Sequence, residues 1–336
     1  MRLTFHIVVT PGSVQLAACA VHSLLRWSPW RYELVGNGLG PGEARELSAL
    51  ATSDPRLSCR FIPEHLVLPH GIVLNRLFDG CTEPYFAFAD VDLFACGPIA
   101  EPLERAVQRA AVVTAGYHLA LDPTEFRAGY EGKRLFGPRG EVLGVTFFAV
   151  YRSDAVRAIR QRYKVGFERY DYPEAVPVEA RRRVEAAGYV GSAFDTAKLL
   201  NILLRLDGER LEHIELPTLK HVGGLAGALL PPGGTRARLV RKWSIRLRGA
   251  ALTDRSLQPP WWRGWLWRAR GADYYRDRAG TYRREQVAAY FARYFRALLS
   301  DHEPPPVELA DEELRHRVNQ MCQILRDALQ QVPRAA

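Results

Sequence analysis

Asp90 and Asp92 close an apolar, aromatic run, "YFAFADVDLF" over residues 85–94. Taking an unpaired carboxylate out of water costs several kcal/mol, so a strand this apolar needs a reason to end in two acids. Side chains alternate along a strand, which predicts residues 90 and 92 on one side and Val91 on the other. Two adjacent carboxylates repel each other and invite a hard divalent cation. Mg²⁺ or Mn²⁺ held by one or two carboxylates completes its shell with water and substrate phosphates. On this argument the acids repel when no cation is bound, and removing either leaves the fold intact or slightly more stable. The spacing alone is equally that of a solvated turn or a helix-capping pair. Context has to decide.

The elements that must carry these acids alternate. Residues 3–9 form a β-rich run closed by "TPGS". Leu16, Cys19, Ala20, Ser23 and Leu24 then recur at helical spacing, with Ser13 placed to cap the helix. Strands at 31–38 and 56–62, helices at 42–53 and 70–81, and the strand at 84–94 continue the pattern. This order predicts an α/β fold, a mostly parallel sheet flanked by helices, whose ligands collect outside the carboxyl ends of the strands. Residues 109–118 and 141–159 read as two more strands, the second running into a helix. A helix is expected over 194–208, and a strand or loop over 215–227. "LLPPGGTR" at 229–236 marks a boundary. Beyond it Val287, Tyr290, Phe291, Tyr294, Phe295 and Leu298 line one amphipathic helix. Leu314, Val318, Met321, Leu325 and Leu329 line another. The division expected is therefore 1–230, in halves meeting near residue 95, and a helical C-terminal region at 231–336.

Composition excludes several classes. At 336 residues, 47% hydrophobic and 25% charged, the chain is neither disordered nor fibrous. Its longest apolar runs fall short of the ~18–20 residues of a membrane span. The N-terminal run stops at Thr10-Pro11-Gly12 and reads as a first strand rather than a signal peptide. Five cysteines without a C-x-x-C pair provide neither a zinc site nor a disulfide framework, which suits reduced thiols in a cytoplasmic compartment.

The order "FHIVVTP", "YELVGNG", "HGIVLN", "YFAFADVDLF" resembles the GT-A fold of nucleotide-sugar-dependent glycosyltransferases with a D-x-D motif, family 2-like, over about residues 3–227. The resemblance implies that Thr10 and Pro11 lie against the nucleotide, and Asn37 near its base. A G-x-x-x-N helix (Gly71, Asn75) precedes the D-x-D strand, with Asn75 among the nucleotide-binding residues, and Asp90 contacts ribose. Asp90, Asp92 and a later histidine, His221, would hold Mn²⁺ or Mg²⁺. Neutral imidazole is a reasonable third ligand for Mn²⁺. His70, Gly144 and Thr146 would border the donor or acceptor sugar. Asp195, in "AFDTAKLL", matches the acid that acts as general base in inverting members, although Ala-Phe precedes it where Glu is common. Read without the resemblance, Asp195 is an N-cap and His221 a polar side chain near a turn. The implied donor is a UDP-, GDP- or dTDP-linked sugar, and the acceptor a glycan, a lipid-linked or a small molecule.

Residues 236–296 stand apart: 16 Lys and Arg face 4 Asp and Glu, and five of the seven tryptophans lie there. Three readings fit: attachment to an anionic membrane, which would place the protein at its inner face; single-stranded nucleic acid, the least favoured; or packing on the α/β part. Two rival functions are a sugar-phosphate nucleotidyltransferase and a non-catalytic nucleotide-sugar or anionic-surface binding protein. The first should carry a glycine-rich basic loop after strand one, whereas "TPGSVQLAA" has one glycine and no Lys or Arg.

Overall fold

Strand, helix, strand, helix is the order in which the chain lays down its first edge. β1 (Thr4–Val9), α1 (Val14–Trp27), β2 (Arg31–Gly36), α2 (Pro41–Ala51), β3 (Leu57–Phe61), α3 (His70–Asp79) and β4 (Tyr85–Ala89) follow one another in a computed structural model. It describes residues 1–118, 136–189, 194–230, 251–263, 265 and 278–332. β5 (Leu93–Ala95), α4 (Ala100–Val107), β6 (Val112–Ala115), β7 (Tyr117–His118), β8 (Phe148–Arg152) and α5 (Ser153–Tyr163) come next. α6 (Val178–Ala186), α7 (Lys198–Leu206), β9 (Leu211–Ile214), β10 (Leu219–His221) and α8 (Leu225–Leu229) complete the α/β part. The main sheet has seven strands in the order β3-β2-β1-β4-β8-β6-β9. All pairings in it are parallel except those of β8, which runs against both its neighbours.

Alternation sorts the strand side chains into two cores. Phe5, Ile7, Val9, Ala87, Ala89 and Val113 belong to the core shared with α1 and α4. Val8, Val35, Phe86, Phe88, Val112 and Tyr151 belong to the one shared with α3, α5, α6 and α7. The α/β layout read from the sequence is the one observed. The C-terminal helices, α9 (Asp254–Leu257), α10 (Arg278–Leu299) and α11 (Glu312–Gln331), follow the change in composition. Val287, Tyr290, Phe291, Tyr294 and Phe295 of α10, with Leu314, Val318, Met321 and Leu325 of α11, are buried as their spacing predicts. They join the same core as Phe5 and Ile7, and α11 packs on α1. The shift in composition is therefore not a break in packing.

Three local readings need correction. The expected strand at 84–94 is two strands: β4 belongs to the main sheet, whereas β5 pairs with β10 in a small sheet ordered β5-β10-β7. Residues 90–92 form the step between them, because Asp90 N donates to Phe147 O at 2.7 Å while Val222 N donates to Asp92 O at 3.1 Å. Only 148–152 of the 141–159 stretch is strand, since Gly144 turns at φ +69° and interrupts the extended run. Ser13 does not cap α1 through its side chain. Its Oγ instead accepts from Thr10 N and donates to Thr10 O, closing the turn after β1.

Candidate active site

Asp90, Asp92 and His221 come from two segments 129 residues apart and meet where the two sheets adjoin, with a ligand atom from each within 4.8 Å of the others. The register of β10 against β5 sets His221 opposite Leu93, one residue beyond Asp92. His221 Nε2 lies 3.1 Å from Asp92 Oδ1 and 3.3 Å from Asp90 Oδ2. The two acids have different surroundings. Asp92 is 3% exposed and its second oxygen accepts the Leu225 amide at 2.8 Å, at the start of α8. The Asp90 side chain keeps 30% of its surface exposed and is the member open to a ligand. Phe147 stacks on His221 with ring centroids 4.2 Å apart.

Burial alone would push the His221 imidazole down, but Asp92 and Asp90 beside it push it up to about 9. Burial would raise the Asp92 carboxyl, but His221 and the Leu225 amide hold it below the ordinary carboxylate range. Two carboxylates and one imidazole thus converge in a position suited to a divalent cation. This is a hard, oxygen-dominated donor set that matches Mn²⁺ or Mg²⁺.

A second polar cluster lies at the other end of the segment that contains Phe147. Thr146 Oγ1 donates to Thr196 O at 2.8 Å, and the Lys198 ammonium donates to Gly144 O. A side chain at Gly144 would collide with Thr114, and its positive φ disfavours one as well. The helix expected at 194–208 begins only at Lys198, because Ala197 sits in the left-handed region at φ +59°. Asp195 therefore occupies a strained turn rather than the cap itself. Its Oδ1 accepts the Thr196 amide, and its carboxylate lies close enough to favour the charged form of Lys198. Lys198 is 1% exposed, and burial outweighs Asp195 to bring its amine down to about 7. Sequence reasoning missed this lysine, whose only signal was a cation opening the apolar run "KLLNILL".

The remaining predicted residues divide. Thr10 and Pro11 follow β1, and Asn37 follows β2; Asn37 N donates to Val9 O, so the three share the carboxyl edge of the sheet. The Asn37 amide is engaged at both ends by Leu68, donating to its carbonyl at 2.9 Å and accepting its N–H at 3.0 Å. His70 opens α3 with its ring edge-on to Phe88, two residues before Asp90. Asn75 accepts from Phe167 N at 2.8 Å and donates to Glu168 Oε2 at 2.5 Å. Gly71, one turn earlier, lets the Phe167–Glu168 backbone approach the helix closely. That segment in turn receives the Ala197 amide at Phe167 O, so α3 braces the turn holding Asp195. The glycine and asparagine of G-x-x-x-N thus act together on structure.

No protein-family model matches the chain, and no curated protein matches it in sequence. Among solved structures it is similar to the galactosyltransferase LgtC in complex with donor and acceptor sugar analogues. The identity is 8% and the TM-score 0.42, over 99% of this chain and 98% of that one. It is also similar to the mannosyltransferase PcManGT from Pyrobaculum calidifontis in complex with GDP-Man and Mn²⁺, at 14% identity and TM-score 0.42, over 97% and 84% of the two chains. The glycosyltransferase GlyE of Streptococcus pneumoniae TIGR4 follows at 12% identity and TM-score 0.34, over 65% of this chain and 45% of that one. Likeness at this level leaves the chemistry to be read from the residues themselves.

Proposed function

We propose that the chain is a metal-dependent glycosyltransferase that moves a sugar from a nucleoside-diphosphate donor to an acceptor hydroxyl. The observation that carries this reading is the convergence of Asp90, Asp92 and His221 at the carboxyl edge of an α/β sheet. These three residues would hold Mn²⁺ or Mg²⁺, which when bound supplies Lewis-acid neutralisation of a diphosphate leaving group. The Leu225 amide fixes Asp92, and the more exposed Asp90 borders the donor. Thr10, Pro11 and Asn37 form the wall for the nucleoside. Asn37 and Asn75 act there as supports, because their amides are engaged by backbone and Glu168. His70, Gly144 and Thr146 border the sugar. Asp195 receives the acceptor's proton as its oxygen attacks the anomeric carbon, giving inversion.

The turn after β1 disfavours the nucleotidyltransferase reading. Its Thr10 N–H is taken by Ser13 and its Gly12 N–H by Glu43 at 2.5 Å, so an acid sits where a phosphate cradle would need donors. Calorimetric titration of UDP, GDP and dTDP with and without Mn²⁺ tests the proposal, followed by a donor screen read by nucleotide release. Binding of one nucleotide that depends on metal and disappears in Asp90→Ala is expected. Absence of any metal-dependent nucleotide binding overturns it. A product that keeps the donor's anomeric configuration removes the base role from Asp195 and leaves the transfer reading standing.

A further inference from the structure

Trp261, Trp262 and Trp265 are 85%, 36% and 61% exposed. Other exposed large apolar side chains of the described residues, such as Leu66, Tyr172 and Val178, are spread along the chain, as is ordinary for a soluble surface. Three indoles within five residues are a different matter, because each carries apolar area that a folded chain normally buries. Of the alternatives weighed for this region, packing on the α/β part does not describe these three.

The turn is held firmly from behind. Arg263 N donates to Pro260 O at 3.0 Å, closing the turn after the Pro259-Pro260 pair. The Arg263 guanidinium pairs with Glu285 at 2.9 Å and lies over the rings of Tyr282, at 4.8 Å, and Trp262, at 5.8 Å. Tyr282 and Glu285 belong to α10, and Tyr282 is fully buried. Trp261 and Trp262 are thus presented on an anchored segment, so little ordering entropy remains to be lost when they dock.

Charge selects the occupant. In sequence, these tryptophans fall within residues 236–296, which are net +12 while the rest of the chain is net −3. Indoles settle at the boundary between lipid headgroups and acyl chains, and clustered arginines are drawn to anionic headgroups. Single-stranded nucleic acid is bound by aromatic side chains along a basic groove, whereas an 85% exposed indole protrudes. We propose that Trp261, Trp262 and Trp265 are membrane-docking residues whose indoles enter the interface of a bilayer bearing anionic lipid. Among the described residues no helix is long and apolar enough to cross a membrane, so this attachment is peripheral. The inference does not depend on the reading of the active site.

The test is co-sedimentation of the full chain with vesicles of phosphatidylcholine alone and with phosphatidylglycerol added, at low and high salt. Binding is expected only with the anionic lipid and is expected to weaken with salt. Trp261→Ser/Trp265→Ser should lower the partition coefficient by about tenfold or more, with thermal melting unchanged. Tryptophan emission of the unaltered protein should shift to the blue on vesicles and be quenched by lipids brominated near the headgroup. This second readout stands even if the double variant folds poorly. Equal sedimentation of variant and parent, no quenching, or tighter binding to oligothymidylate than to vesicles would each overturn the proposal.

Discussion

Asp92 and Asp195 are both carboxylates near a buried basic side chain, and the segment 144–147 connects their neighbourhoods. They differ in whether charge or burial decides the state of the base. His221 meets two acids, and their charge overcomes its burial, so the cluster keeps a negative excess that a dication can fill. Beside Lys198 lies Asp195, and there burial wins and brings the amine down to about 7. The balance of charge against burial separates two clusters built from similar parts.

Breaking the first cluster should have the largest effect. Asp90→Ala and Asp92→Ala should each lower transfer by more than about 100-fold and abolish Mn²⁺-dependent nucleotide binding in calorimetry. Their stabilities should part. Asp92→Ala takes the closer of two carboxylates from a buried imidazolium and leaves the Leu225 amide unsatisfied, at a cost of ~3 kcal/mol in urea unfolding, while Asp90→Ala costs less than ~1 kcal/mol. This replaces the expectation that losing either acid is neutral or stabilising, because His221 already compensates their repulsion. Next, Asp195→Asn should lower kcat by ~10²–10⁴ with donor KM nearly unchanged, measured by steady-state nucleotide release. An unaffected kcat would move the base elsewhere.

The pH dependence of metal-free protein sharpens the contrast. The imidazole of His221 goes from an ordinary 6.5 to about 9 on folding, so its stabilisation is complete below 6.5 and is lost as pH rises through 9. For Lys198 the shift is from 10.5 to about 7, so its penalty is complete below 7 and is relieved as pH rises toward 10.5. The two trends oppose each other between 7 and 9. In chelator, His221→Gln should unmask stability rising with pH, and Lys198→Met stability falling with it, by denaturant titration. The smallest effect belongs to Thr146→Val, which removes one hydrogen bond to Thr196 O and should cost about 1 kcal/mol.

Much of the frame was legible in the chain. Period-2 runs and period-3.6 runs placed β1 to β4, α1 to α3, α10 and α11, because each buries one face against a core. The approach of Asp90 to Asp92 was also expected, but by strand alternation. The structure obtains it from a step between two sheets, which needs the remote pairing of β10 with β5. The displaced start of α7 was hidden for a similar reason. Local propensity favours a helix through Asp195, and contacts from Phe167 and Thr146 hold Ala197 and Thr196 out of it. The engagement of the Asn37 and Asn75 amides depends on loops 31 and about 90 residues away, beyond the reach of any local pattern.

In a wholly parallel sheet, every strand delivers only its trailing loop to the edge where ligands gather. β8 is reversed, so what arrives there is the segment leading into it, Gly144 to Phe147. The edge is therefore supplied by chain travelling in both directions. A lineage could exchange what precedes β8 without altering any crossover that holds the sheet together.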